Sequence, residues 1–248
     1  MSLLSALLAI AAGLSVGTTA LVVGAVLTGQ LSIGWSNDLI DLARDRSVGR
    51  PDKPLASGVV SPTSVRIACA LAVAATVPLS LACGVTAGLV HLVLVAAGWA
   101  YNLGMKSTLW SWLPYAVAFG GLPAFVELAR DATRLPPMWM IAAGALLGVG
   151  AHLVNVLPDL ADDAATGVRG LPHRLGARWT PPVAVAALVL ATAVIAAGSQ
   201  STSWLILAPA FAVVALLCLL ALLGRDRTPF RAVIAIALVD VVMLVWAR

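Results

Sequence analysis

The stretch Asn37-Asp38-Leu39-Ile40-Asp41-Leu42-Ala43-Arg44-Asp45 decides how the chain is read. It follows a run from Leu3 to Gly34 that carries no charge, so three carboxylates stand where hydrocarbon gives way to water. A membrane-spanning helix needs about 20 apolar residues. The uncharged run is too long for one span and too short for two, and Gly13, Ser15, Gly17 and Thr18 offer a break. The sequence therefore predicts a short first helix near 2–14 and a full second helix near 18–45 that carries the acids at its end. A second stretch of the same character is Asn155-Val156-Leu157-Pro158-Asp159-Leu160-Ala161-Asp162-Asp163.

Composition agrees with a membrane setting. Of the 248 residues 61% are hydrophobic and 10% charged, against about 25% charged in soluble domains. Further spans are expected near 62–82, 86–104, 111–129, 137–160, 179–198, 203–223 and 229–247. The predicted fold is all-α: a single domain over 1–248, a polytopic bundle of about nine transmembrane helices, the first one short. Trp35, Trp110, Trp112, Trp179, Trp204 and Trp246 lie near the proposed helix ends, where amphipathic rings favour the interface. The basic residues are not arranged as a nucleic-acid-binding face; no nucleic acid is expected. All of the 15 Lys and Arg except Arg130, Arg134 and Arg248 fall on one side of the proposed membrane. The positive-inside rule makes that side cytoplasmic, and both acidic stretches share it. Cys69, Cys83 and Cys218 lie within apolar runs and read as packing residues.

The acids carry the chemistry. On a helix Asp38, Asp41 and Asp45 form one stripe, as do Asn155, Asp159 and Asp163, with His152 on the same side and Asp162 beside them. Like charges at these spacings destabilise an isolated helix, and carboxylates at membrane depth are costly. One compensation is pairing with Arg44, Arg46, Arg169 and Arg174 at the interface. The other is Mg²⁺, a hard cation that takes a few carboxylates and completes its shell with water and phosphate oxygens. Two matched stripes on one side of the membrane favour the second. His91 reads as a packing residue, Asp240 as an intramembrane acid with a functional role by default, and Glu127, Arg130, Asp131 and Arg134 as a solvated cluster on the far side.

Asn37-Asp38-x-x-Asp41-x-x-x-Asp45 resembles the first aspartate-rich motif of the UbiA superfamily of intramembrane prenyltransferases, and Asp159-x-x-x-Asp163 its second. Lys53-Pro54-Leu55-Ala56-Ser57-Gly58 is similar to the family's R-P-L-x-x-G segment, with Lys for Arg. Gly167-Val168-Arg169-Gly170-Leu171-Pro172-His173-Arg174-Leu175-Gly176 is similar to the loop after the second motif. The resemblance covers nearly the whole chain. It implies nine helices around a central cavity open to lipid, with loops near 46–61 and 162–178 capping it. Asp38, Asp41, Asp45, Asp159 and Asp163 would hold Mg²⁺. Asn37, Arg46, Lys53, Lys106, Asn155, Arg169 and Arg174 would hold the diphosphate of an isoprenyl donor. Tyr101, Asn102, His152 and Tyr115 are cavity candidates; Trp99 and Phe119 add aromatic faces that could stabilise an allylic cation. The family often carries Y-x-x-x-K at the end of its fourth helix; here Tyr101 precedes Lys106 by five residues and Asn102 holds the four-residue spacing. Family members usually begin with a full first helix, whereas this chain starts inside it.

The implied activity is prenyl transfer to an aromatic, quinone-like or lipid acceptor, in the cell membrane, with membrane lipid around it. A terpene cyclase of the same superfamily, which needs no acceptor, is the alternative in a second reaction class. A small-molecule transporter is a third reading; its acids would lie near the midplane, whereas these cluster at one interface. The D-G-x-x-A-R pattern of membrane phosphotransferases is absent.

Overall fold

A computed structural model describes residues 1–49, 53–160, 163, 167–199, 204–224 and 228–247, without the side chains of Asp159, Trp204, Leu205, Ile206 and Pro229. Among these residues nine α-helices and two short 3₁₀ turns account for the regular structure, with no strand. The helices are α1 (Ser2–Ala11), α2 (Val16–Ser47), α3 (Pro62–Ala82), α4 (Val85–Asn102), α5 (Leu113–Arg130), α6 (Met138–Val156), α7 (Leu171–Gly198), α8 (Trp204–Leu223) and α9 (Thr228–Trp246).

Local chemistry sets the boundaries. The Ser15 side chain accepts the Thr18 N–H at 3.1 Å and starts α2, while Arg44 and Arg46 lie in its last turn, where the helix dipole favours cations. Ser61 caps α3 in the same way, followed by Pro62. Gly84, at φ 107°, supplies the conformation that turns α3 into α4 without a longer loop.

Two expected boundaries differ. The helix expected over 137–160 ends at Val156 and continues as a 3₁₀ turn, Leu157–Asp159. Pro158 has no N–H to give back to the preceding turn, so the second acidic stretch is not one regular helical stripe. The helix expected from 179 begins at Leu171, and Gly176 at φ 72° breaks its path between the entry segment and the span.

Successive helices pack on one another from α1 to α9, and α9 returns to touch α1. Among the described residues five helices, α2, α3, α4, α6 and α7, are long and apolar enough to cross a membrane by length and composition. The α5 helix faces protein: it touches α1, α2, α4 and α6, and Leu122, Phe125 and Val126 along it are buried. Ile67 and Leu71 on α3, Leu89 and Val93 on α4 and Leu216 and Leu219 on α8 face outward, an apolar exterior suited to lipid.

Small residues set the helix spacing, as packing in lipid requires. A Cβ on Gly144 would stand 2.6 Å from the Phe119 carbonyl oxygen, and one on Gly120 2.9 Å from that of Ile141. A Cβ on Gly148 would press on the Tyr115 carbonyl. Thus α5 and α6 touch backbone to backbone, which fixes Tyr115 relative to Asn155. Buried polar side chains are paired between helices: His91 Nδ1 with Ser80 Oγ at 2.7 Å, its ring stacked on Phe125 at 4.6 Å. The Asp240 carboxyl accepts from Thr192 Oγ1 at 2.6 Å, joining α9 to α7.

Candidate active site

A cavity of about 320 Å³ opens between α2, α4, α5 and the end of α6. One helical face of α2 supplies Gln30, Ile33, Gly34, Asn37, Asp41 and Arg44. Tyr101 and Asn102 come from α4, Tyr115 and Phe119 from α5, and Asn155 from α6. Lys53, Lys106, Asp163 and Val168 reach in from the connecting segments. The site is therefore an apolar chamber with its charges gathered at one end.

At that end every described carboxylate has a cation beside it. Lys106 Nζ lies 2.5 and 2.6 Å from the two oxygens of Asp41. It sits on the 3₁₀ turn Met105–Ser107, which follows α4 directly and swings the ammonium back over the cavity. Arg44 donates to the same carboxylate at 2.8 Å. Lys53 Nζ bridges Asp45 at 2.9 Å and Asp38 at 3.2 Å, tying the loop after α2 to the acidic stripe. Burial alone would lower the Lys53 pKa; Asp45 and Asp38 outweigh it and raise it above the ordinary lysine value, so Lys53 stays charged throughout the neutral range. Asp163 faces α2, with its Oδ1 3.8 Å from Arg44 Nη1 and its Oδ2 3.5 Å from His173 Nε2. Among the described residues the two acidic stretches thus meet at the Arg44 guanidinium.

Deeper in the chamber the lining is aromatic and neutral. Tyr101 and Tyr115 meet edge to face at 5.4 Å, and Asn155 donates to the Tyr115 hydroxyl at 3.2 Å. The Asn102 amide donates to Ile33 O and Ser36 Oγ, both at 2.8 Å, which locks α4 to α2 next to the acids.

The acids fit a hard divalent cation, since their donors are carboxylate oxygens. Among the described residues no three acidic, His or Cys groups converge as a preassembled metal cluster, because Lys53, Lys106 and Arg44 hold the carboxylates. Metal binding would require those cations to find another anion, and a diphosphate is one.

Of the residues singled out in the sequence, the structure brings Asn37, Asp41, Lys53, Tyr101, Asn102, Lys106, Tyr115, Asn155 and Asp163 to the cavity. Asp38 and Asp45 stand beside it through Lys53. Arg46, Arg169 and Arg174 are exposed and do not line it; Arg46 falls on a different side of α2 from Asp41, and Arg174 turns to the Arg169 carbonyl at 3.4 Å. His152 is a supporting residue, not a lining one. It is buried behind the two tyrosines, with ring centroids 5.7 and 5.0 Å away, and its Nε2 pairs with Ser111 Oγ at 3.0 Å. Trp99 donates to Ser32 Oγ at 3.2 Å and joins α4 to α2. The side chain of Asp159, all of Asp162, and the loop positions 50–52, 161–162 and 164–166 lie outside the described residues.

Two polar lining residues, Arg44 and Gln30, are not among the site residues that the sequence suggests. By sequence Arg44 reads only as a neutralising partner; its i+3 spacing from Asp41 is the available signal. Gln30 is an amide within the uncharged run, seven residues before Asn37 and so on the same helical face.

The model of the UbiA prenyltransferase family matches residues 1–239. A digeranylgeranylglyceryl phosphate synthase of Methanopyrus kandleri is 29% identical over 204 residues, covering 76% of this chain and 71% of that protein. The apo structure of a UbiA homologue from Aeropyrum pernix K1 superposes with a TM-score of 0.79 at 19% identity, over 99% of this chain and 97% of the other. A UbiA homologue from Archaeoglobus fulgidus bound to GPP and Mg²⁺ gives 0.68 at 15% identity, over 98% and 94%.

Proposed function

This chain belongs to the UbiA prenyltransferase family, and on that basis we propose that it ionises an isoprenyl diphosphate with Mg²⁺ and passes the prenyl group to a hydrophobic acceptor. It is an integral, multi-pass membrane enzyme. The observation that carries the substrate reading is the meeting of Asp41 and Asp163 at one end of an apolar chamber, with Arg44, Lys53 and Lys106 around them.

Asp38, Asp41, Asp45, Asp159 and Asp163 would hold the metal, which supplies positive charge against the leaving diphosphate. Lys106 and Lys53 can leave their carboxylates for phosphate oxygens, so the cations already resident become the anion clamp. Asn37 and Asn155 would orient the diphosphate by hydrogen bonds. The donor's tail would lie along Ile33, Gly34, Gly98, Ala118 and Phe119, which exclude water from the reacting carbon. Tyr101 and Tyr115, which meet edge to face in the lining, would stabilise positive charge developing on the allyl group. The segments near 46–61 and 162–178 would cap this end of one domain spanning 1–248. The concentration of basic residues there supports a cytoplasmic orientation in the cell membrane.

The test is turnover by purified protein in detergent with Mg²⁺ and allylic diphosphates, with and without a hydrophobic acceptor. Diphosphate release coupled to acceptor prenylation is the expected result. Release of a cyclic hydrocarbon or alcohol at the same rate without any acceptor would replace transfer by cyclisation.

A further inference from the structure

One charged group at the cavity mouth belongs to both acidic stretches at once. The Arg44 guanidinium lies 2.8 Å from Asp41, 3.9 Å from Asp45 and 3.8 Å from Asp163. It lines the cavity and is only partly exposed. Asp41 does not need it for neutrality, because Lys106 already touches both Asp41 oxygens. A guanidinium is a rigid fork of donors that satisfies two carboxylates together, or equally the oxygens of a phosphate. The gap it spans, between oxygens of Asp41 and Asp163, is also where a divalent cation would gain most from both rims. A divalent cation entering that gap would be repelled by the guanidinium already standing in it.

We propose that Arg44 is a tethered counter-ion that competes with the divalent metal for Asp41 and Asp163, and that an arriving diphosphate draws its guanidinium away. The proposal rests on the functional reading above. Metal and diphosphate then bind as a cooperative pair: the metal alone must displace Arg44 into water, whereas with diphosphate present the guanidinium exchanges one anion for another. Arg44 also restrains the rims in the metal-free enzyme, so they wait at a fixed separation instead of repelling one another.

The experiment titrates Mn²⁺ into purified full-length protein in detergent, followed by electron paramagnetic resonance without any diphosphate. Wild type is compared with Arg44→Met, which keeps the aliphatic stem, and with Asp41→Asn. Arg44→Met is expected to bind Mn²⁺ about tenfold more tightly than wild type. At saturating metal its affinity for a prenyl thiolodiphosphate should fall about tenfold. If the methionine variant fails to fold, Arg44→Lys, which is charged but lacks the fork, should move both affinities in the same directions by less. Unchanged or weaker Mn²⁺ binding in the Arg44 variant, with binding still lost in Asp41→Asn, would overturn the counter-ion and leave the metal site standing. Wild-type Mn²⁺ binding by Asp41→Asn would overturn both.

Discussion

Replacing Asp41 by Asn should lower turnover on the order of 10³-fold, while the protein still folds in detergent. Asp41 is the carboxylate on which the site converges: Lys106 and Arg44 both bind it, and it lines the cavity directly. The amide keeps the shape and one acceptor oxygen but removes the negative charge that gathers cations at this end. Metal affinity and the resting positions of Lys106 and Arg44 are therefore lost together. The fold should persist because Lys106 borders the cavity and can hydrate there, so the stability cost stays at about 1–3 kcal/mol. Initial rates with a prenyl diphosphate, set beside thermal unfolding of the same preparation, check both parts. Arg46→Ala, two residues from Arg44 in the same motif but exposed, should leave turnover close to wild type. Near-normal rates in Asp41→Asn would remove the acidic site from the chemistry.

The largest effect on the fold is expected at Gly148. Any Cβ there meets the Tyr115 carbonyl and, at 2.7 Å, the Tyr115 carbonyl carbon. These are backbone atoms of a neighbouring helix, with no flexible side-chain end to yield. Gly148→Leu must push α5 away from α6, opening the Gly120 and Gly144 contacts along the same seam. Overpacking of an interior costs about 1–3 kcal/mol even where side chains can shift, and here they cannot. The variant should fail to yield folded protein, or unfold far earlier in a detergent denaturation series. Gly24→Ala is the matched control, because its Cβ would meet only the Leu79 side chain at an ordinary 3.8 Å. Equal stability of Gly148→Leu and wild type would mean that α5 and α6 are not in backbone contact.

How much was legible beforehand follows from which forces are local. Helix number and order come from apolar runs and caps, and Ser15, Ser61 and Gly84 mark their ends in the sequence. The stripe Asp38, Asp41, Asp45 and its closeness to the second stretch were readable because charge at membrane depth demands a partner. Which cation meets which acid was not. Arg44 and Arg46 differ by only two positions, yet helical rotation turns one into the cavity and the other to solvent. His152 shares a side with Asn155, but a one-residue reading of direction cannot tell a lining side chain from one behind Tyr101 and Tyr115. Pro158 lies within the helix expected over 137–160, and its missing N–H ends α6 before the second acidic stretch is complete.

On the proposed mechanism, the acids at the end of the chamber bind diphosphate through a divalent metal. Calorimetric binding of a non-ionising prenyl thiolodiphosphate to the wild-type protein tests it most directly, once with Mg²⁺ and once with EDTA. Saturable binding that requires Mg²⁺ and disappears on chelation is the predicted result. Equal affinity with and without the metal would contradict the account, since the resident lysines and arginine would then hold the diphosphate with no role for the carboxylates between them.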